Sequence, residues 1–199
     1  MKAEQIKAAI PNLVTLVRVL MTPVILLELA HGHYLAGGWL FGGAAFTDIV
    51  DGALARRFGM GSKTGQYFDP IADKILLTAI YIGLALGHAV PVWIVAIILG
   101  RDLWILLLSS SALAFTDFRE LKPSVWGKAS TFAQVMAAVA VMGGYAYDSP
   151  VFALLGKILL GAVVVLAALS GGDYTLRGVR WLAGSRRRSL TCERGGSSL

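Results

Sequence analysis

Charged residues, cysteine and histidine are all scarce in this sequence. Only 15% of its 199 residues are charged, whereas 56% are hydrophobic. Such a composition is typical of membrane proteins and excludes most soluble enzyme classes. The single cysteine, Cys192, rules out a disulfide framework within the chain. Neither cysteine nor histidine lies near the main acidic cluster, which argues against a zinc site there.

Long apolar runs take the place of the missing charge. Six of them approach the roughly 20 residues that a helix needs to cross about 30 Å of hydrocarbon. They are Leu13–Ala30, Tyr34–Phe46 with its polar extension, Ile71–Leu86, Val90–Leu108, Val125–Val141 and Val151–Leu169. The sequence therefore predicts an all-α integral membrane protein with six transmembrane helices. Met1–Ile10 predicts an N-terminal interfacial helix that Pro11-Asn12 turns into the membrane.

Basic residues mark one side of the membrane. They precede the first span, lie between spans two and three and between spans four and five, and follow the sixth. Cytoplasmic loops carry such an excess, so both termini and the Asp48–Asp73 connection are predicted to be cytoplasmic. The net charge of +6 indicates anionic membrane lipids as partners and not nucleic acid, because no nucleic-acid motif accompanies it.

The end of the chain differs from the rest in composition. Gly171-Gly172-Asp173 predicts a turn after the sixth span. Residues 184–199 contain Arg186-Arg187-Arg188 and then Gly-Gly-Ser-Ser, which predicts a disordered basic tail. The expected domain organisation is therefore a membrane domain over residues 1–183 and a cytoplasmic tail over residues 184–199.

Four of the twelve acidic residues lie between residues 48 and 73. Asp48 and Asp51 are three residues apart, and Asp69 and Asp73 are four apart, so each pair shares one face if its segment is helical. Carboxylate oxygens suit hard cations such as Mg²⁺, Mn²⁺ or Ca²⁺. Two divalent ions would balance the four charges, as in the two-metal sites that assist displacement at phosphorus. The pattern therefore predicts two metal ions held by these four aspartates.

Other charges inside the spans allow more than one interpretation. Arg18 in the first span either extends to the cytoplasmic surface or pairs with an aspartate or a substrate phosphate. Arg101-Asp102 in the fourth span is either a structural ion pair or an arginine directed at a phosphate, because such charges are costly without partners. Lys128 lies about one turn inside the fifth span.

The spacing of the acidic cluster resembles the signature of the CDP-alcohol phosphatidyltransferase family. The pattern is Asp-x2-Asp-Gly-x2-Ala-Arg-x8-Gly-x3-Asp-x3-Asp, and every position is present from Asp48 to Asp73. Residues 10–18 and Pro23 are also similar to the family's first span, and six spans fit its fold. The resemblance therefore covers most of the chain.

The resemblance implies both a reaction and roles for the motif residues. An acceptor hydroxyl would attack the phosphorus next to diacylglycerol in CDP-diacylglycerol, and CMP would leave. Asp48, Asp51 and Asp69 would be metal ligands, and Asp73 a ligand and the general base. CDP-diacylglycerol would be bound at Asp48, Gly52, Ala55, Arg56 and Gly65. We also expect a homodimer in the bacterial inner membrane, with the active site facing the cytoplasm.

The acceptor alcohol is less clearly indicated. Lys122-Pro123-Ser124, Gly127-Lys128, Thr131 and Gln134 resemble phosphatidylglycerophosphate synthases, whose acceptor is glycerol 3-phosphate. Its phosphate would be bound by Arg101, Lys122 and Lys128. In contrast, Arg101-Asp102 looks more like cardiolipin synthases of the eukaryotic type, which use phosphatidylglycerol. An alternative from another class is a small transporter with intramembrane carboxylates.

Overall fold

All regular secondary structure in the described part of the chain is helical. The structure, a computed structural model, describes the backbone of residues 2–58, 65–115 and 125–195. Within these segments it describes the side chains of residues 16–47, 72–107, 126–173 and 175–176. The helices are α1 (Lys2–Ala30), α2 (Tyr34–Phe58), α3 (Gly65–Leu86), α4 (Val92–Phe115), α5 (Val125–Ala146) and α6 (Pro150–Gly195).

Each helix contains most of one predicted apolar run, so the all-α prediction is confirmed for the described residues. Two stretches among these residues, Trp126–Ala146 and Pro150–Asp173, are long and apolar enough to cross a membrane by length and composition. Six membrane crossings and the cytoplasmic position of both termini remain predictions.

Three short turns join the helices in pairs at residues 31–33, 87–91 and 147–149. Each turn has one residue in the left-handed region, namely Gly32 (φ 81°), His88 (φ 61°) and Asp148 (φ 47°). The next amide donates to the carbonyl five residues back: His33 N to Glu28 O, Ala89 N to Leu84 O and Ser149 N to Gly144 O. This is the hydrogen bond of the Schellman motif, which satisfies carbonyls left open at a helix end.

The buried core lies where α1, α3, α5 and α6 meet. Its fully buried side chains include Ile25, Leu29, Ile80, Tyr81, Leu84, Ala137 and Val163. The Tyr81 hydroxyl donates to the Gln134 carbonyl at 2.9 Å, which joins α3 to α5. Gly83 lets α1 approach α3 closely, because a Cβ there would lie 2.9 Å from the Leu26 carbonyl oxygen. The central helices are thus fixed against one another beneath the acidic motif.

The outer surface of the described helices is rich in large apolar side chains. Trp39, Phe132 and Val151 are each about 70% exposed, and every helix contributes further examples. Soluble monomers rarely expose so much contiguous apolar surface. Contact with lipid hydrocarbon accounts for it, which favours a membrane location.

Two helices are longer than the sequence predicts. The expected separation of an interfacial helix at Pro11-Asn12 is wrong, because α1 runs unbroken from Lys2 to Ala30. Proline removes one helical hydrogen bond, and the remaining bonds of α1 continue the helix on both sides of Pro11.

The predicted turn at residues 171–173 is also wrong, because α6 continues through it. Here Trp104 Nε1 of α4 donates to Thr175 Oγ1 at 3.0 Å, and Thr175 Oγ1 donates to the Gly171 carbonyl at 2.8 Å. These contacts hold the glycine pair in the helix. The helix ends at Gly195, so residues 184–195 are helical where the sequence predicts disorder; the domain boundary at residue 183 remains a prediction.

Candidate active site

The acidic motif is divided between two helices. Asp48 and Asp51 lie in α2, and Asp69 and Asp73 lie in α3, so both flanking segments are helical as predicted. The side chain of Asp73 is described by the structure. Those of the other predicted site residues of the motif and its surroundings lie outside the described residues: Asp48, Asp51, Gly52, Ala55, Arg56, Gly65, Asp69 and Lys122.

Arg18 of α1 pairs with Asp73 of α3. Arg18 Nη1 donates to Asp73 Oδ1 at 2.6 Å, and the arginine is 3% exposed while the Asp73 side chain is 58% exposed. Of the alternatives open for Arg18, pairing with an aspartate is therefore observed. A buried guanidinium is stable when it has a charged hydrogen-bond partner. The Asp73 carboxylate is therefore accessible to solvent, and the buried Arg18 side chain fixes its position.

A cavity of about 250 Å³ borders Arg18 between α1 and α2. Its wall includes the small residues Gly43 and Ala44 and ends at Thr47, which precedes Asp48 in the sequence. A Cβ added at Gly43 would meet no atom within 4 Å, so the side of α2 is open there. Small residues let a ligand or another helix approach a helix backbone closely, and this cavity lies against such a part of α2.

A second charged cluster connects α3, α4 and α6. Asp102 Oδ1 accepts from Lys74 Nζ at 2.7 Å and from Arg101 Nη1 at 2.8 Å. Arg101 Nη2 donates to Ser170 Oγ at 2.5 Å. The side chains of Arg101 and Asp102 are 8% and 10% exposed. The predicted ion pair is present, and it is part of a larger network.

Arg101 lies deeper in its helix than the sequence suggests. The predicted span ends at Leu108, which puts Arg101 about two turns from its end, whereas α4 continues to Phe115. Arg101 and Asp102 therefore lie near the middle of α4. Unpaired charge is costly at this depth, which accounts for the two cationic partners of Asp102 Oδ1.

Lys128 lies three residues into α5, close to the predicted position, and its side chain is exposed. It has no ion pair among the described residues. Nearby on the same helix, Ser130 and Gln134 are fully buried, and their side-chain polar atoms lack hydrogen-bond partners within the described part of the chain. The structure thus brings Arg101 into a network with Lys74, and it places Lys128 on a separate helix.

Lys74 and Ser170 received no role from the sequence. Lys74 directly follows Asp73 and lies inside a predicted span, so a basic residue next to the acidic motif was a usable signal. Ser170 carries no such signal, because a lone serine in an apolar helix is common. Its contact with Arg101 depends on the packing of α6 against α4.

The chemistry available at this site follows from the exposed carboxylate of Asp73 and the cations around it. An accessible carboxylate can accept a proton, and clustered lysine and arginine side chains can bind a phosphate. No group of three or more possible metal ligands occurs among the described side chains, three of the four motif aspartates being outside them. The metal site therefore remains a prediction.

Comparison with known proteins supports the motif assignment. A sequence profile of the family described as CDP-alcohol phosphatidyltransferase matches residues 8–170. A probable phosphatidylglycerophosphate synthase of Mycobacterium tuberculosis is 36% identical, over 90% of this chain and 86% of that protein. A CDP-diacylglycerol--glycerol-3-phosphate 3-phosphatidyltransferase of Pseudomonas fluorescens is 30% identical over 84% of each chain.

A cardiolipin synthase (CMP-forming) / mitochondrial hydrolase fusion protein of Schizosaccharomyces pombe is 38% identical, but over 56% of this chain and 18% of that protein. The profile match covers most of the chain and includes the whole acidic motif together with Arg18, Lys74 and Arg101. The chain therefore belongs to the CDP-alcohol phosphatidyltransferase family and is a phosphatidyltransferase.

Proposed function

We propose that this enzyme transfers the phosphatidyl group of CDP-diacylglycerol to glycerol 3-phosphate, giving phosphatidylglycerophosphate and CMP. The observation that carries the proposal is the accessible Asp73 carboxylate beside Lys74, which is linked through Asp102 to Arg101. The Asp73 carboxylate can accept a proton, and the Lys74 and Arg101 side chains can bind a phosphate. The names of the M. tuberculosis and P. fluorescens relatives, which align with most of this chain, support this acceptor.

In the proposed reaction, the acceptor hydroxyl oxygen attacks the phosphorus that carries diacylglycerol. The new P–O bond forms as the bond to the CMP oxygen breaks, and CMP leaves with that electron pair. The hydroxyl proton passes to a carboxylate oxygen of Asp73. Arg18 holds this carboxylate through Nη1, so that its position is set by a buried group on another helix.

Two divalent cations, Mg²⁺ or Mn²⁺, are part of the proposal. Asp48, Asp51, Asp69 and Asp73 would hold them, and this all-carboxylate donor set fits hard cations. When bound, such ions stabilise negative charge on the attacking and leaving oxygens. The support for this is the complete motif, divided between two helices.

The remaining substrate contacts follow the motif positions. CDP-diacylglycerol would be bound by Asp48, Gly52, Ala55, Arg56 and Gly65. The phosphate of the acceptor would be bound by Arg101, Lys122 and Lys128. We also propose a homodimer in the bacterial inner membrane with the active site at the cytoplasmic face. The basic residues that flank alternate helices and the apolar exterior support this location.

Cardiolipin synthesis from phosphatidylglycerol is the second candidate. The adjacent Arg101 and Asp102, together with the S. pombe relative, favour it. That relative matches a smaller part of this chain than the two relatives named for glycerol 3-phosphate chemistry. The transporter alternative has no support from the comparisons.

The deciding experiment supplies purified enzyme with labelled CDP-diacylglycerol and either glycerol 3-phosphate or phosphatidylglycerol, and identifies the lipid product. We expect phosphatidylglycerophosphate and stoichiometric CMP from the first acceptor. Cardiolipin from the second acceptor, with no use of glycerol 3-phosphate, would replace the proposal by its alternative. An active-site control is Asp73→Asn, which keeps the size of the side chain and removes its charge.

A further inference from the structure

The network around Asp102 contains one carboxylate and two cations. A single oxygen, Asp102 Oδ1, accepts from Lys74 of α3 and from Arg101 of α4. From this geometry we infer that Asp102 is a positioning residue that joins Lys74 and Arg101 into one binding site for the phosphate dianion of the acceptor. The inference rests on the proposed function and adds Lys74 and Asp102 to its acceptor site.

Charge balance distinguishes this site from a structural ion pair. Arg101 and Asp102 alone would form a neutral ion pair. A buried ion pair with a purely structural role needs no additional charge. Lys74 adds a second positive charge, so the cluster carries a net charge of +1. Excess charge is costly where two of the three side chains are about nine-tenths buried. A bound anion would remove this cost.

The cluster also keeps hydrogen-bond donors that its protein partners do not use. A lysine ammonium has three donors, and Asp102 is the one ion-pair partner of Lys74 among the described residues. Arg101 Nε is buried and has no hydrogen-bond partner within the described part of the chain. Buried donors are nearly always satisfied. The oxygens of a phosphate group are the acceptors that suit a lysine and an arginine together.

The position of Lys74 links this site to the proposed base. Lys74 follows Asp73 directly on α3, and the described α3 is helical on both sides of them. Glycerol 3-phosphate separates its phosphate from its terminal hydroxyl by a three-carbon chain. In the inferred site, a phosphate bound by Lys74 and Arg101 would place the hydroxyl at the end of this three-carbon chain, on the side of the site where α3 carries Asp73. Ser170 completes the site by holding Arg101 Nη2.

The test compares purified variants in detergent, with kcat and the KM of each substrate measured separately. We expect Lys74→Met and Asp102→Asn each to raise the KM for glycerol 3-phosphate by about tenfold or more, the loss expected for one charged hydrogen bond. The KM for CDP-diacylglycerol should change by less than about threefold, because these variants weaken binding of the acceptor and leave the contacts to CDP-diacylglycerol intact. Asp102→Glu, which keeps the carboxylate, should restore most of the affinity.

Non-additivity gives a second readout that a purely structural role would not produce. If Asp102 acts through Lys74, the double variant Lys74→Met with Asp102→Asn should raise the KM little more than either single change. The matched control is Lys157→Met. Lys157 is a lysine of α6 that lines a cavity beside the turn at residues 87–91, away from Asp73, and it should leave both KM values unchanged.

The outcomes separate this inference from the proposed function. If the unmodified enzyme makes phosphatidylglycerophosphate while Lys74→Met keeps its KM for glycerol 3-phosphate, the inference is wrong and the function stands. If the unmodified enzyme does not use glycerol 3-phosphate, the proposed function fails and the inference fails with it. Should Asp102→Asn not fold, the KM of Lys74→Met, checked against Lys74→Arg, decides the question.

Discussion

Two regions of the helical bundle are built by different means. The capped end comprises the turns at residues 31–33, 87–91 and 147–149, which are closed by backbone hydrogen bonds. The charged region comprises Arg18, Asp73, Lys74, Arg101 and Asp102, which connect separate helices through side chains. The capped end needs little more than local geometry, whereas the charged region needs helices brought together at fixed positions.

The two regions also differ in the free-energy cost of their polar groups. Backbone caps are satisfied within four or five residues and involve no net charge. The charged region places ionised groups among apolar helices, where each requires a partner. Such groups are retained for chemistry more readily than for stability, because apolar residues of similar size often stabilise a buried site as well. Substitutions in the two regions should therefore separate activity from stability.

Loss of the motif carboxylates should have the largest effect. We expect Asp73→Asn to lower kcat by about 100-fold to 10,000-fold, the usual contribution of a general base, and EDTA to abolish activity until Mg²⁺ or Mn²⁺ is restored. The measurement is CMP release from CDP-diacylglycerol. Asp148→Asn is the matched control, since Asp148 lies exposed in a turn of the capped end and asparagine tolerates its φ of 47°. Full activity after chelation would contradict the metal proposal.

The pair between Arg18 and Asp73 should have the next largest effect. Arg18→Met removes the anchor of the carboxylate, and we expect kcat to fall by about tenfold to 100-fold because the base loses its position. Thermal stability should change little, because methionine fills the buried space without a charge and the Asp73 carboxylate that remains is 58% exposed. The measurements are kcat and the unfolding temperature of the same preparation.

An ion pair at the capped end is the control for Arg18. Glu28 Oε2 lies 2.9 Å from His33 Nδ1, and the histidine is mostly exposed. Glu28→Gln should leave kcat unchanged, since exposed pairs contribute little. If Arg18→Met kept full activity, or if both variants lost it equally, Arg18 would have no specific role in positioning Asp73.

Sequence reasoning was most successful where structure is local. The apolar runs predict the positions and approximate bounds of the six described helices, although the N-terminal segment predicted as a separate helix is part of α1. Local signals also led to the two wrong boundaries, because Pro11 and Gly171-Gly172 usually end helices. At residues 171–173 the deciding contact comes from Trp104 on another helix, and a local pattern does not contain it.

The site shows the same limit. The cost of a charge in an apolar helix is visible in the sequence, so Arg18 and Arg101 could be selected as residues that need partners. The identity of those partners depends on how α1, α3, α4 and α6 pack. For this reason the sequence leaves Asp73 as one of several possible partners of Arg18. It also does not indicate that Lys74 and Ser170 lie in the same network as Arg101.

The smallest expected effect concerns the backbone of the capped end. Gly32 has a φ of 81°, and a Cβ there would meet its nearest atom, Tyr34 Cε2, at 4.0 Å, an ordinary contact. Gly32→Ala therefore tests backbone conformation without a steric clash. We expect it to lower the free energy of unfolding by about 1 kcal/mol, because alanine is disfavoured in the left-handed region.

For a chain of this length, such a loss corresponds to a decrease of about 2–4 °C in unfolding temperature, with kcat unchanged at lower temperature. The control is Gly38→Ala in α2, where a Cβ would meet no atom within 4 Å and alanine favours the helix. That variant should be neutral or slightly more stable. If Gly32→Ala reduced kcat as strongly as Arg18→Met, the capped end would be coupled to the chemistry, and the division of the bundle into a capped end and a charged region would not hold.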